Sequence, residues 1–187
     1  MTNSSQQDRF VALLGPHFDA LYAAARRMTM SSTDAEDLVQ EVCLKAFERL
    51  DELESIDYQR AWLLRVMYNK FVDQQRSSTR SPVDRAETGA ESFDPDERAG
   101  SGMLPEEEAD REIRIVRILM ALKHLNRDHA ALVALHDIEG MTIAELQDLT
   151  GSPAGTIKAQ LHRTRAKLGR LLSSDVRLRP ELKAIGG

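Results

Sequence analysis

The stretch GMTIAELQDLTGSPAGTIKAQLHRTRAKLGRLL, residues 140–172, constrains the fold more than any other part of the chain. Thr142 and Glu145 stand in T-x-x-E spacing, where each side chain can satisfy the other residue's free backbone N–H and open a helix. Ile143, Leu146 and Leu149 give that short helix its apolar contacts. Gly151 suits the turn, Ser152 an N-cap and Pro153 a first helical position, which predicts a second helix continuing past Arg165. Two short helices across a tight glycine turn make a helix-turn-helix, whose second member can enter a DNA major groove. A wheel of that helix puts Ile157, Leu161, Thr164 and Leu168 inside, and Thr156, Ala159, His162, Arg163 and Arg170 outside with Lys158 and Lys167 on the flanks. Small, hydrogen-bonding and basic side chains on one face are what base edges and phosphates require.

The rest of the chain reads as helical too. It has 187 residues, enough for one large or two small domains, with ten glycines, six prolines and no sustained apolar/polar alternation between hairpin turns. A capping box Thr33/Glu36 announces a helix whose stripe is Ala35, Leu38, Val39, Val42, Cys43, Ala46, Phe47 and Leu50. An earlier amphipathic stretch runs from Phe10 to Met28, broken near Gly15-Pro16, and a later helix runs from about Gln59 to Arg76. The later helix gathers Leu63, Leu64, Met67, Tyr68, Phe71 and Val72 on one side and Trp62, Arg65, Asn69, Asp73 and Arg76 on the other. Residues 77–103 are rich in Ser, Gly, Pro and charge and read as a flexible tether, after which Leu104, Pro105 and Glu106 to Glu108 suit a new helix start. Asn126 can cap a helix containing Ala131, Leu132, Leu135 and Ile138, which Gly140 can end. The expected fold is all-α: two small helical domains, residues 1–76 and 104–172, joined by a flexible acidic linker and followed by a tail, residues 173–187.

The net charge of −5 conceals four blocks. Residues 34–57 hold nine acids and two bases, net −7; residues 60–85 hold six bases and two acids, net +4. Residues 86–112 hold ten acids and two bases, net −8; residues 153–183 hold eight bases and two acids, net +6. Such segregation suits two surfaces for a polyanion and one for a basic partner. The five histidines form no H-x-x-x-H pair and no phosphate-binding glycine motif occurs, so neither an enzyme nor a cofactor or metal site is expected. One cysteine, a polar N-terminus and the absence of a long apolar run make a cytoplasmic chain without membrane insertion the expectation.

Taken together, these motifs resemble a bacterial sigma factor of the small extracytoplasmic-function group. DAEDLVQEVCLKAF, residues 34–47, is similar to that family's helix for docking on core RNA polymerase, and RAWLLRVMYNKFVDQQR, residues 60–76, to its helix for the downstream (−10) promoter element. LHDIEGMTIAELQDLTGSPAGTIKAQLHRTRAKL, residues 135–168, is similar to its module for the upstream (−35) element. The resemblance implies core docking through Asp34, Asp37, Gln40 and Glu41, −10 contacts from Tyr58, Arg60, Trp62, Arg65, Asn69 and Arg76, and −35 contacts from Thr156, Lys158, Ala159, His162, Arg163 and Arg165. It also implies promoter DNA and core polymerase as partners, an anti-sigma factor as a regulator, and a monomer when free. Ala130, Gln147 and Gln160 depart from the family pattern; Gln147 bears on how tightly the two helices of the motif pack, and Gln160 removes a phosphate contact. The competing reading, a helix-turn-helix repressor or activator, accounts for residues 140–172 but leaves the helices at 34–47 and 60–76 without a role.

Overall fold

A computed structural model describes residues 2–80, 114 and 116–173. Nearly all of the expected linker, the helix start near Leu104 and the tail beyond Ser173 lie outside these residues. Among the described residues the elements are helical throughout, and no helix is long and apolar enough to cross a membrane.

The first unit holds α1 (Thr2–Leu14), a 3₁₀ turn at Gly15–His17, α2 (Phe18–Thr29), α3 (Ser32–Glu48), the short α4 (Leu50–Glu54) and α5 (Gln59–Arg80). Helices α2, α3 and α5 pack together through Leu21, Met28, Leu38, Val42, Leu63, Met67 and Phe71, all fully buried. Phe10 of α1 meets Phe47 of α3 edge to face, ring centroids 5.4 Å apart. Arg9 fastens the same helix to α4 by donating to Glu54 at 2.9 and 2.5 Å and to Asp51 at 2.7 Å.

Boundaries in this unit differ from expectation at three places, the first being α1, which begins at Thr2 and not near Phe10. Helix α3 is capped two residues earlier than Thr33: Ser31 is the N-cap, its hydroxyl accepting from the Asp34 N–H at 3.2 Å. The cause is Met30, whose φ of 61° ends α2 in the left-handed region and delivers Ser31 in extended geometry. Helix α5 continues to Arg80, so the first four residues of the expected tether are helical.

The second unit holds α6 (residues 116–123), α7 (Arg127–Val133), a π-helical turn (Ala134–Ile138), α8 (Ile143–Thr150) and α9 (Ala154–Ser173). Asn126 caps α7, accepting from the N–H groups of Asp128 and His129. The π turn shifts the register of the expected stripe, so Ile138 is 46% exposed and not part of the core. The Thr142/Glu145 capping box forms, and Gly151, with φ of 69°, makes the turn between α8 and α9. The carbonyl of Pro153 accepts from Thr156 and Ile157, so α9 opens one residue later than expected and Ser152 is not its cap. Helices α8 and α9 pack through Leu146, Ile157 and Leu161, with half-buried Gln147 accommodated beside them.

The two units share one apolar cluster: Ala131, Leu132, Leu135 and Met141 join the core built on α2, α3 and α5. Helix α2 packs on α7, and α5 on α8. The halves that the sequence separates are therefore docked on each other here.

Candidate functional site

Three surfaces carry the expected site residues. The first is the outer face of α3. Asp37 and Gln40 are exposed, Asp34 is half-buried near the helix start, and Glu41 is held by α5, with Lys70 at 3.1 Å and Gln74 donating at 3.3 Å. Glu41 therefore has an intramolecular task that the sequence pattern did not reveal. Leu44 was missed entirely: it stands one or two turns from Asp37, Gln40 and Glu41, and is 66% exposed. Its signal was available, since an apolar residue off the buried stripe of an otherwise charged face asks for a partner. Burial raises the Cys43 thiol above its ordinary value, which disfavours the reactive thiolate and fits a packing role on the inner stripe.

The second surface belongs to α5 and the loop before it. Tyr58 is 79% exposed, and Arg65, Asn69 and Arg76 lie exposed along one side of the helix. Trp62 shares that side but is half-buried against the core, so part of its ring serves packing. Arg60 is engaged rather than free, donating from Nη2 to Glu139 Oε2 at 2.5 Å. The other oxygen of the same carboxylate accepts from Arg27 Nη1 at 2.7 Å. Glu139, of the C-terminal unit, has a side chain only 3% exposed. A carboxylate so placed needs both partners, because each buried charge left unpaired costs several kcal/mol. Burial holds Arg27 below its ordinary value; Glu139 opposes that shift and the like charge of Arg60 adds to it.

The third surface is α9. Thr156, Lys158, Ala159, His162 and Arg163 are all exposed, while Ile157, Leu161 and Thr164 are buried beneath them. Arg165 is exposed but held by Asp137 on both carboxylate oxygens, its Nε donating at 2.8 Å. Hydrogen bonds to Asp137 raise its guanidinium above the ordinary value. This long-range partner was invisible in the sequence, and it sets the direction in which Arg165 leaves the helix.

Comparison with known proteins settles the class. Residues 13–81 match the sigma-70 region 2 family model and residues 115–168 match the sigma-70 region 4 model. The RNA polymerase sigma factor CnrH of Cupriavidus metallidurans is 30% identical over 176 residues, covering 92% of this chain and 91% of that protein. The chain belongs to the extracytoplasmic-function sigma factors. NccH of Alcaligenes xylosoxydans is 29% identical over 169 residues, covering 90% of this chain and 89% of its own length. Among solved structures, the sigma factor RpoE bound to the anti-sigma factor NepR, from Bartonella quintana, matches with a TM-score of 0.65 and 28% identity over 87% of this chain and 95% of that one. CnrH bound to the cytosolic domain of CnrY matches with a TM-score of 0.57 and 27% identity over 90% of each chain.

As an alternative sigma factor, the chain binds core RNA polymerase and directs promoter-specific initiation; it is an initiation factor and not an enzyme. A stand-alone helix-turn-helix regulator would leave the region 2 match unexplained.

Proposed function

We propose that the two units divide promoter recognition as the family resemblance implies. Tyr58, Trp62, Arg65, Asn69 and Arg76 of the N-terminal unit read the −10 element, with Arg60 joining them once it is released from Glu139. Thr156, Lys158, Ala159, His162 and Arg163 read the −35 element from α9, while Arg165 grips the backbone. Core polymerase is held through Asp34, Asp37 and Gln40, with Leu44 as an added apolar anchor and Glu41 serving both α5 and the partner. The domain limits that follow are residues 1–80 and 104–173, a small revision of the sequence boundaries.

The observation that carries this reading is the face of α9: five consecutive outward positions suited to DNA are exposed above a buried apolar floor. RpoE is solved with the anti-sigma factor NepR, and CnrH with the cytosolic domain of CnrY, which supports a protein regulator of the anti-sigma kind for this chain as well. Transcription by core polymerase requires the cytoplasm, where we place the protein.

The test is transcription in vitro with purified core polymerase. Asp37→Lys should weaken core binding with little change in thermal stability, since Asp37 is exposed; Asp37 is a cleaner choice than Glu41, whose reversal would also repel Lys70. Core affinity unchanged by Asp37→Lys would remove α3 from the docking surface.

A further inference from the structure

The ion triad of Glu139 joins two halves of a protein that must touch DNA with both. Arg27 comes from α2, Arg60 from the start of α5, and their terminal nitrogens converge on the two oxygens of one carboxylate, at 2.7 and 2.5 Å. Two guanidiniums converging on a pair of oxygens are also the arrangement that grips a phosphate diester, whose two unbridged oxygens present the same forked acceptor. The carboxylate is supplied by the other unit, 112 residues from Arg27 and 79 from Arg60 in sequence, so it leaves whenever the units part. The arginines stay behind.

Glu139 is one of several acids that the C-terminal unit lays on this side of the N-terminal one. Asp128 accepts from Gln75 of α5 at 3.0 Å, and Glu145 lies close enough to feel the charge of Arg65. Between the units, at the Tyr58 end of α5, runs a cleft of about 300 Å³ lined by His17, Tyr58, Arg60, Glu139 and Glu145. Arg65 and Arg76 share the exposed side of α5, whereas Arg60 stands about 140° round the helix at its N-terminal end beside Arg27, so a nucleic-acid backbone reaches this pair by turning across that end of α5.

We propose that Arg27 and Arg60 form a backbone-phosphate site for promoter DNA, and that Glu139 fills this site in the closed chain as an internal stand-in for the phosphate. DNA and the C-terminal unit then compete for the same two arginines, and the free protein shields its own −10 surface. The proposal adds Arg27 to the DNA-binding set and rests on the assignment of α5 to DNA.

The experiment uses the full-length chain and a fluorescein-labelled single strand of arbitrary sequence, because a phosphate site is indifferent to sequence. Glu139→Gln keeps the shape of the latch and removes its charge. It should bind the strand several-fold more tightly than wild type, with a log K against log salt slope steeper by about 0.7 for each phosphate newly engaged. Asp8→Asn, on the exposed part of α1, makes the same change in net charge and should do neither. Adding Arg27→Gln to Glu139→Gln should return about 0.7 of the slope. If Arg27→Gln changes nothing in that background while Arg65→Ala weakens binding, the phosphate site is wrong and the α5 assignment survives; if Arg65→Ala also changes nothing, the α5 assignment fails with it. Hydrogen exchange on the wild type needs no variant: the strand should lower protection along α7 and the turn to Met141, where Ala131, Leu132, Leu135 and Met141 lose the cover of the N-terminal core when the units part. Unchanged protection at saturating strand would overturn the competition.

Discussion

Leu44 offers the sharpest test of how this sigma factor docks on core polymerase. It is 66% exposed on α3, so about two-thirds of the gain from burying a leucine is still available to a partner. Full burial of such a side chain is worth about 1.5–3 kcal/mol, which leaves roughly 1–2 kcal/mol for docking. Leu44→Ala should therefore raise the Kd for core polymerase by a factor of about 5 to 30. In the free protein the same truncation removes a side chain that points mainly into water, so stability should change by less than about 0.5 kcal/mol. Val11 on α1, 65% exposed and outside the proposed face, is the matched control, and Val11→Ala should leave the Kd unchanged. The assay is a titration of labelled chain with core polymerase, paired with a thermal melt of each variant. A Kd within twofold of wild type for Leu44→Ala, at equal melting temperature, would refute the placement of Leu44 in the interface.

Three further outcomes are expected. In the assembled holoenzyme, Arg163→Ala should relax preference at one base pair of the upstream element, a discrimination of roughly 1–3 kcal/mol, as read by binding to a panel of single-base promoter variants; Arg165→Ala should weaken all variants alike, because a contact to the DNA backbone is the same at every sequence. Leu146→Ala, at a fully buried position between α8 and α9, should cost about 2–5 kcal/mol in urea unfolding and abolish use of the upstream element while core binding persists. Hydrogen bonds from the backbone and side chain of Thr142 hold the Glu145 carboxyl below its ordinary range. A depressed folded-state pKa gives stability that is present above the unfolded value and lost as pH falls through the folded one; Glu145→Gln should remove that acid-limb contribution, seen as a flatter melting temperature against pH on the acid side.

The helices, their caps and the outward face of α9 were legible in the sequence because each is a relation between residues three or four apart. Asn126 and the Thr142/Glu145 box are local chemistry, and the burial of Ile157, Leu161 and Thr164 follows from helical periodicity alone. Where two local solutions competed, periodicity could not choose between them. Ser31 caps α3 in place of Thr33 because Met30 adopts a left-handed conformation, and the π turn exposes Ile138 by adding to the register that a regular wheel assumes.

The tertiary structure alone decided which charges are engaged. Arg60 and Arg27 meet on Glu139, Glu41 meets Lys70, Arg165 meets Asp137, and Arg9 meets Asp51 and Glu54. An ion pair across many residues leaves no periodic trace in a sequence, since any acid on a surface has many bases within reach of some fold. Its existence depends on where packing of the apolar faces brings the two helices. Leu44 illustrates the same limit for apolar groups: whether a leucine lies in a core or waits for a partner is set by what packs beside its helix, and on α3 neither α2 nor α5 covers it.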